Sequence, residues 1–324
     1  MNQHTTVRGY RRVGGRAARL TLAVTATFAM VLGMAGMGAA AAAADTVIDT
    51  VTVGLAPRGV AVTPDGAFAY VTNTGDGTVS VIDTSTNLVV GAPIPVGGFP
   101  FGVAITPDGT RAYVTNFGDG TVSVIDTGTN TVVGAPIPVG LSPVGVAITP
   151  NGSFAYVTNN LDGTVSVIDT GTDTVVGAPI PVGNSPSGVA ITPDGTRAYV
   201  TNNGGGTVSV IDTGTDTVVG APIPVGTDPV GVAITPDGTR AYVTNSSDGT
   251  VSVIDTGTNT VIETVPVGIA PLGVAITPDG NRAYVTNAGG GTVSVIGIDQ
   301  CTGSLCLDFG SGTGSGSGWG SFFS

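Results

Sequence analysis

The chain has 324 residues, 41 % hydrophobic, 10 % charged and 5 % aromatic, with a formal net charge of −12. It has no lysine, one histidine (His4) and two cysteines, and Glu263 is its one glutamate among the acids. So acidic a chain repels phosphate backbones, which excludes nucleic acid as a partner. The single histidine, which lies in the first ten residues, leaves the rest without a His-based triad, a histidine haem ligand or the usual zinc site, and the missing lysine excludes Schiff-base chemistry.

Residues 1–44 read as a secretory signal: Arg8, Arg11, Arg12, Arg16 and Arg19 precede an apolar run over about 20–39 and an alanine tract that ends before Asp45. The Arg11-Arg12 pair leaves both the general and the twin-arginine export routes open, and an uncleaved anchor is the alternative reading of the run. Cleavage near Ala44 takes five of the ten arginines and His4, leaving five arginines against 22 acids, a net charge of −17. The expected location is secreted, extracellular or envelope-associated, with no membrane segment after cleavage.

Residues 45–298 carry a repeat of about 43 residues, copied six times, with the proline of a T-P-[DN]-G turn at Pro64, Pro107, Pro150, Pro193, Pro236 and Pro278. Each copy reads as four strands: GVAIT, a Pro-Asp-Gly turn, RAYVTN, a four-residue loop, TVSVID, a Thr-Gly-Thr-Asn link and TVVGAPIPV. Such a period with four short strands predicts an all-β, six-bladed propeller of four-stranded antiparallel blades. The prolines of strand four, such as Pro136 and Pro138, place it at the outer edge, where no ladder donor is needed. The extra residue in its GAPIPVG version predicts a bulge. The sixth repeat lacks strand four, and Thr46–Gly54 aligns without gaps to the fourth strand of blade five, Thr260–Gly268. The segment 46–54 is therefore expected to close the ring by completing blade six. Pairing Asn116 with Thr121 sets Arg111 opposite Asp126, Arg197 opposite Asp212 and Arg240 opposite Asp255, and leaves Arg282 opposite Gly297; the opposed charges predict cross-strand ion pairs.

Tyr-Val-Thr-Asn recurs at 70–73, 113–116, 156–159, 199–202, 242–245 and 284–287, flanked by T-P-D-G and T-V-S-V-I-D. In these motifs, over about residues 46–296, the chain resembles the YVTN family of β-propeller repeat proteins. That resemblance implies the propeller fold and a secreted or cell-surface setting, with lactonases and a haem-binding nitrite-reductase domain among related propellers. Those relatives often have seven blades, against six repeats here, and the lack of histidine removes the residues that lactonase-type and haem-type sites would need.

The repeated aspartates read as turn and strand-end residues, so the positions that break the repeat carry the individual chemistry. These are the residue before each Gly-Val, the link into each blade and the loop between strands two and three, which up-and-down connectivity gathers around one mouth of the channel. The candidate binding residues are Arg58, Phe99, Phe101, Phe117, Val144, Leu161, Ser187, Val230 and Leu272. Phe99, Phe101 and Phe117 are expected to form an aromatic lip beside Arg58, suited to a protein or envelope-glycan partner; drift at tolerant loops is the competing account. Asp76, Asp119, Asp162 and Asp248 share one loop position and are the candidate oxygen ligands for Ca²⁺; otherwise no cofactor is implied. Asp before Gly is also ordinary turn chemistry.

Residues 299–324 read as a Gly/Ser-rich tail ending Trp319-Gly-Ser-Phe322-Phe323-Ser, a tether or a docking end. Cys301 and Cys306 within it are expected to form a local disulfide in an oxidising compartment, with two free thiols as the alternative. The expectation for the whole is a monomeric, non-catalytic binding or surface-structural module; the alternative is an extracellular hydrolase or lactonase-like enzyme working with carboxylates and a divalent metal.

Overall fold

The computed structural model describes residues 49–298, and the expected signal, tail and Cys301–Cys306 disulfide lie outside them. The fold is an all-β propeller of six antiparallel sheets. Blade two shows the plan: strands Pro100–Ile105, Arg111–Asn116, Thr121–Asp126 and Thr131–Pro138 pair in sequence order. Blade three (from Pro143), blade four (from Pro186) and blade five (from Pro229) repeat it, as does blade one from Pro57. In blades one and four the outer strand is split into two short pieces, Leu88–Val89 with Ile94–Pro95 and Thr217–Val218 with Ile223–Pro224.

The expected registers form: Asn116 opposes Thr121, and Arg111, Arg197, Arg240 and Arg282 oppose Asp126, Asp212, Asp255 and Gly297. The bulge in the longer outer strands forms as well, between Val122 and Val124 and between Val165 and Val167, and the shorter strand of blade five has its own irregularity. The cross-strand ion pairs do not form. Asp126 turns into its own loop, where its Oδ1 accepts from the amide and hydroxyl of Thr129. Arg111 instead reaches the next blade and pairs with Asp173 at 2.6 Å, the one ion pair among the described residues.

The sequence motif works by linking each blade to the following one. The Tyr70 hydroxyl donates to Asn130 Oδ1 of blade two at 2.6 Å, and Tyr113, Tyr156 and Tyr199 donate likewise to Asp173, Asp216 and Asn259. Those acceptors sit in the next blade's strand-three to strand-four turn at φ of 52–55°, a left-handed conformation that Asn and Asp tolerate. The Thr72 hydroxyl accepts from the Gly59 amide and donates to the Phe101 carbonyl of blade two, both at 2.8 Å. The Asn73 amide donates to Thr78 and Ser80 of its own blade, while its oxygen accepts from the Gly54 amide of the incoming link. Asn159, Asn245 and Asn287 repeat this last bond; in blades two and four the buried oxygens of Asn116 and Asn202 make none.

Around these bonds lie five apolar clusters, one at each boundary from blade one to blade six. The first joins Tyr70, Val79, Val81 and Ile94 of blade one to Ala112, Val114 and Ile125 of blade two, with Val132 of blade two packed over it. The other four repeat it with equivalent residues. Fully burying each large side chain stabilises by about 1.5–3 kcal/mol.

The sixth boundary differs. Blade six has three strands, Pro271–Ile276, Arg282–Asn287 and Thr292–Gly297, and no described residue pairs as a fourth. This corrects the expected closing strand: Asp49–Gly54 takes no strand conformation, and 46–48 lie outside the described residues. The physical reason is at the seam. Gly54 and Leu55 are held to blade one through Asn73 and Asp76, as other links are to their blades, but Val60 and Val62 of blade one and Val293 and Val295 of blade six stay exposed rather than burying one another. A Cβ on Gly109 would meet Pro64 of the preceding blade at 3.3 Å; one on Gly66, the blade-one equivalent, would meet nothing within 4 Å.

Two predictions follow from the linking bonds. Replacing Thr115 with valine strands the buried Val144 carbonyl and should cost about 1–3 kcal/mol in chemical denaturation. Burial pushes Tyr70 up to about 12 from 10.0, and pushes Tyr113 and Tyr156 further in the same direction. A phenol whose folded value is raised contributes stability that is whole below its ordinary value and is lost as pH rises through the folded one. Stability should therefore fall between about pH 10 and 12, with unfolding and tyrosinate absorbance rising together.

Candidate functional site

Each blade begins with a residue followed by Gly-Val, and the glycine is dictated by crowding. A Cβ on Gly59 would lie 2.5 Å from the Phe101 carbonyl oxygen, and one on Gly145 2.5 Å from that of Ser187. Gly188 and Gly231 stand the same way against Val230 and Leu272. The inner strands thus approach closely backbone to backbone, and the residue before each glycine is turned to the channel.

Arg58, Phe101, Val144, Ser187, Val230 and Leu272, one from each blade, line a single cavity of about 670 Å³ together with their glycines. Val144 is buried, Phe101, Ser187 and Val230 are half-buried, and Arg58 and Leu272 are exposed. The Arg58 guanidinium lies over the Phe101 ring, 4.6 Å from its centroid, a contact worth about 0.5–1 kcal/mol at an exposed site. Phe117 tilts against the same ring, with centroids 6.1 Å apart and planes at 33°. Arg58 is the one charged residue of the lining, so the mouth combines a cation with an apolar wall in an otherwise acidic molecule.

The remaining sequence candidates stand outside that lining. Phe99 and Leu161 are exposed on the links and loops above it, and the Phe99 ring lies over Gly118. Phe99 has a φ of 53°, as do its counterparts Ala56, Ser142, Ser185, Asp228 and Ala270 within a few degrees. The Phe99 carbonyl accepts from the Phe117 amide, which holds this turn. A conformation recurring in all six links belongs to the scaffold rather than to a local strain at the site.

The loop carboxylates Asp76, Asp119, Asp162 and Asp248 each accept a link amide, from Leu55, Gly98, Leu141 and Thr227, at 2.6–2.7 Å. They fasten the chain entering four different blades, and among the described residues no three metal-ligating side chains come together. The turn aspartates act locally too: the Thr106 hydroxyl, followed by the Thr110 amide, holds Asp108 below the usual carboxylate value, and Asp65, Asp194, Asp237 and Asp279 behave alike.

Sequence reasoning missed a second concavity of about 540 Å³ between blades five and six, where Arg240, Tyr242, Glu263 and Val265 face Ser294, Val295 and Ile296. The signal for it is the truncation of the sixth repeat.

Residues 100–260 match the model of a family described as lactonase, 7-bladed β-propeller. No curated protein matches the chain. Among solved structures, the hydrazine synthase of Kuenenia stuttgartiensis is similar with a TM-score of 0.55 and 23 % identity, covering 78 % of this chain and 99 % of that one. A functionally unknown protein from Desulfotomaculum acetoxidans DSM 771 gives 0.62 and 23 %, over 71 % and 78 %. A protein assigned as a 6-phosphogluconolactonase from Bacteroides uniformis ATCC 8492 gives 0.66 and 18 %, over 75 % and 81 %. The likeness to these structures shows the propeller fold. The lactonase match overturns the expectation of a non-catalytic module and points to an enzyme.

The crowding at the inner ring gives a direct test of this geometry. Gly145→Ala should lower stability by about 1–3 kcal/mol, since the clash is with backbone that cannot swing aside. Leu161→Ala, at an exposed loop position, should leave the melting temperature within a degree or two.

Proposed function

We propose that this protein is an exported lactonase-like hydrolase that takes a small cyclic ester at the channel mouth. The observation that carries the reading is Arg58 held over Phe101 at the rim of an otherwise apolar cavity, in a chain whose residues 100–260 match a lactonase family. Membership of the YVTN-type repeat proteins, suggested by the motif, is compatible with it.

The chemistry assigned to the site is modest, because lactones are activated esters. Water adds to the ring carbonyl, the ring C–O bond breaks, the alkoxide takes a proton, and a hydroxy acid leaves. The step that benefits from the protein is the addition, where negative charge gathers on the carbonyl oxygen. A guanidinium placed at that oxygen stabilises the transition state more than the neutral substrate, and an apolar wall of Val144, Val230 and Leu272 strengthens the effect. The Ser187 hydroxyl is the second polar donor of the lining. Of the loop carboxylates proposed as acid–base or metal-binding groups, each already holds a link amide through one oxygen, so its other oxygen is the one left for chemistry.

The test is hydrolysis of a panel of γ- and δ-lactones by the full chain, followed by pH-stat. Turnover above the uncatalysed rate is expected for at least one class, and Arg58→Ala should reduce kcat/KM by about 10²–10³-fold while lowering the melting temperature by no more than about 4 °C. Absence of turnover across the panel, or an Arg58→Ala variant as active as the parent, would refute the reading. Leu88→Ala, exposed on the outer strand of blade one and away from the lining, serves as the neutral control.

A further inference from the structure

The end blades carry the two halves of an interface that the chain builds five times internally. The forward face of blade one, Val79 and Val81, is buried against Val103 and Ile105 of blade two. The equivalent forward residues of blade six, Val293 and Val295, are 56 % and 52 % exposed. The equivalent backward residues of blade one, Val60 and Val62, are 65 % and 54 % exposed. Polar groups tell the same story. Thr72, Thr115, Thr158, Thr201 and Thr244 each donate to a carbonyl of the following blade; Thr286 bonds, among the described residues, only to Gly273 of its own blade.

Among the described residues a strand is missing at the same place. The concavity between blades five and six lies beside the unpaired edge Thr292–Gly297. At the equivalent position in blades two to five, the outer strand packs Val132, Val175, Val218 or Val261 onto the preceding blade. The chain owns a segment with the right sequence, Thr46–Val53, aligned without gaps to the outer strand of blade five, and its described part, 49–53, takes no strand conformation. An open edge beside an apolar groove is a template for strand addition.

We infer that blade six is completed by residues 46–53 of a second copy of this chain, with blade one of that copy seated on Val293 and Val295. The occupant is a second copy rather than the same chain because the back of the chain's own blade one is not seated on blade six: Val60 and Val62 on the one and Val293 and Val295 on the other stay exposed, and a Cβ on Gly66 would meet nothing within 4 Å. A second copy brings the strand and the matching blade face together, in the linkage that joins every other pair of blades. Reciprocal exchange between two copies uses both open ends and closes the assembly; a one-way exchange continues as a head-to-tail chain.

The register is fixed by blade five, where Val251 opposes Val265 and Ser252 opposes Thr264. Transfer to blade six sets Val293 opposite Val51 and Ser294 opposite Thr50. In the full chain with Cys301→Ser and Cys306→Ser, one preparation carries Val51→Cys and another Val293→Cys. Mixing and oxidising the two should give a disulfide-linked heterodimer, and light scattering of the parent chain should give at least twice the chain mass. Thr50→Cys with Ser294→Cys repeats the experiment at a second position, so that a single ill-tolerated pair does not decide it. A monomeric mass together with no intermolecular link at either position overturns the proposal. So does a disulfide formed within one chain carrying both Val51→Cys and Val293→Cys, which would mean that the ring is closed by its own strand.

Discussion

A threonine hydroxyl that accepts from an amide of its own blade and donates to a carbonyl of the next is the joint on which this molecule depends. Thr72 between Gly59 and Phe101 is one instance, and the same bridge recurs at four further boundaries. A blade of three or four strands cannot bury its own faces, so its stability has to come from neighbours. The tyrosine and threonine of the motif make that dependence specific, because each finds its partner only when the next blade stands in register. Valine between them supplies the apolar area, and asparagine fastens the incoming link.

This economy has a cost at the ends. Where the repeat continues, a forward-facing valine and the carbonyl beside it are covered without further sequence. Where it stops, the same residues are left facing solvent, as Val293 and Val295 are at one end and Val60 and Val62 at the other. Repeat proteins commonly cap such ends with altered, polar repeats. Here blade six keeps the unmodified TVSVI sequence and blade one keeps GVAV, so neither end has been recoded as a surface.

Much of the architecture was legible because it is written six times. The period gave the blades, the turn residues gave strand limits, and the prolines placed the outer strand. The hairpin register followed from one pairing and was carried correctly to every copy. What was not legible involved competition between partners. Asp126 opposes Arg111 on the ladder, yet the nearby Thr129 amide and hydroxyl claim its carboxylate, and the longer arginine crosses to Asp173. The closing strand failed for a related reason. An ungapped alignment says that 46–54 can be an outer strand, but it carries no information on which blade stands beside it. At the mouth, the residues before Gly-Val were identifiable as variable, and their convergence on one cavity follows from strand order; that Arg58 lies on Phe101 rather than on another wall is a property of side-chain geometry alone.

The charge distribution bears on how a hydrolase of this form could turn over. The chain holds 22 acids and ten arginines, a net charge of −12. A lactone enters neutral at the ring being opened and leaves as a carboxylate. Arg58 favours the charge as it forms, whereas the surrounding acidic surface opposes a bound anion, over a range of about 8–10 Å at physiological salt. A single cation at the rim is thus enough to polarise a carbonyl and too little to retain an acid product. A second guanidinium beside it would strengthen binding of the product as well as of the transition state, and binding both equally gains nothing in turnover. For the lactonase proposed above, the isolation of Arg58 in an acidic molecule would serve turnover, and product inhibition is predicted to weaken at low ionic strength, where the repulsion from the acidic surface reaches further.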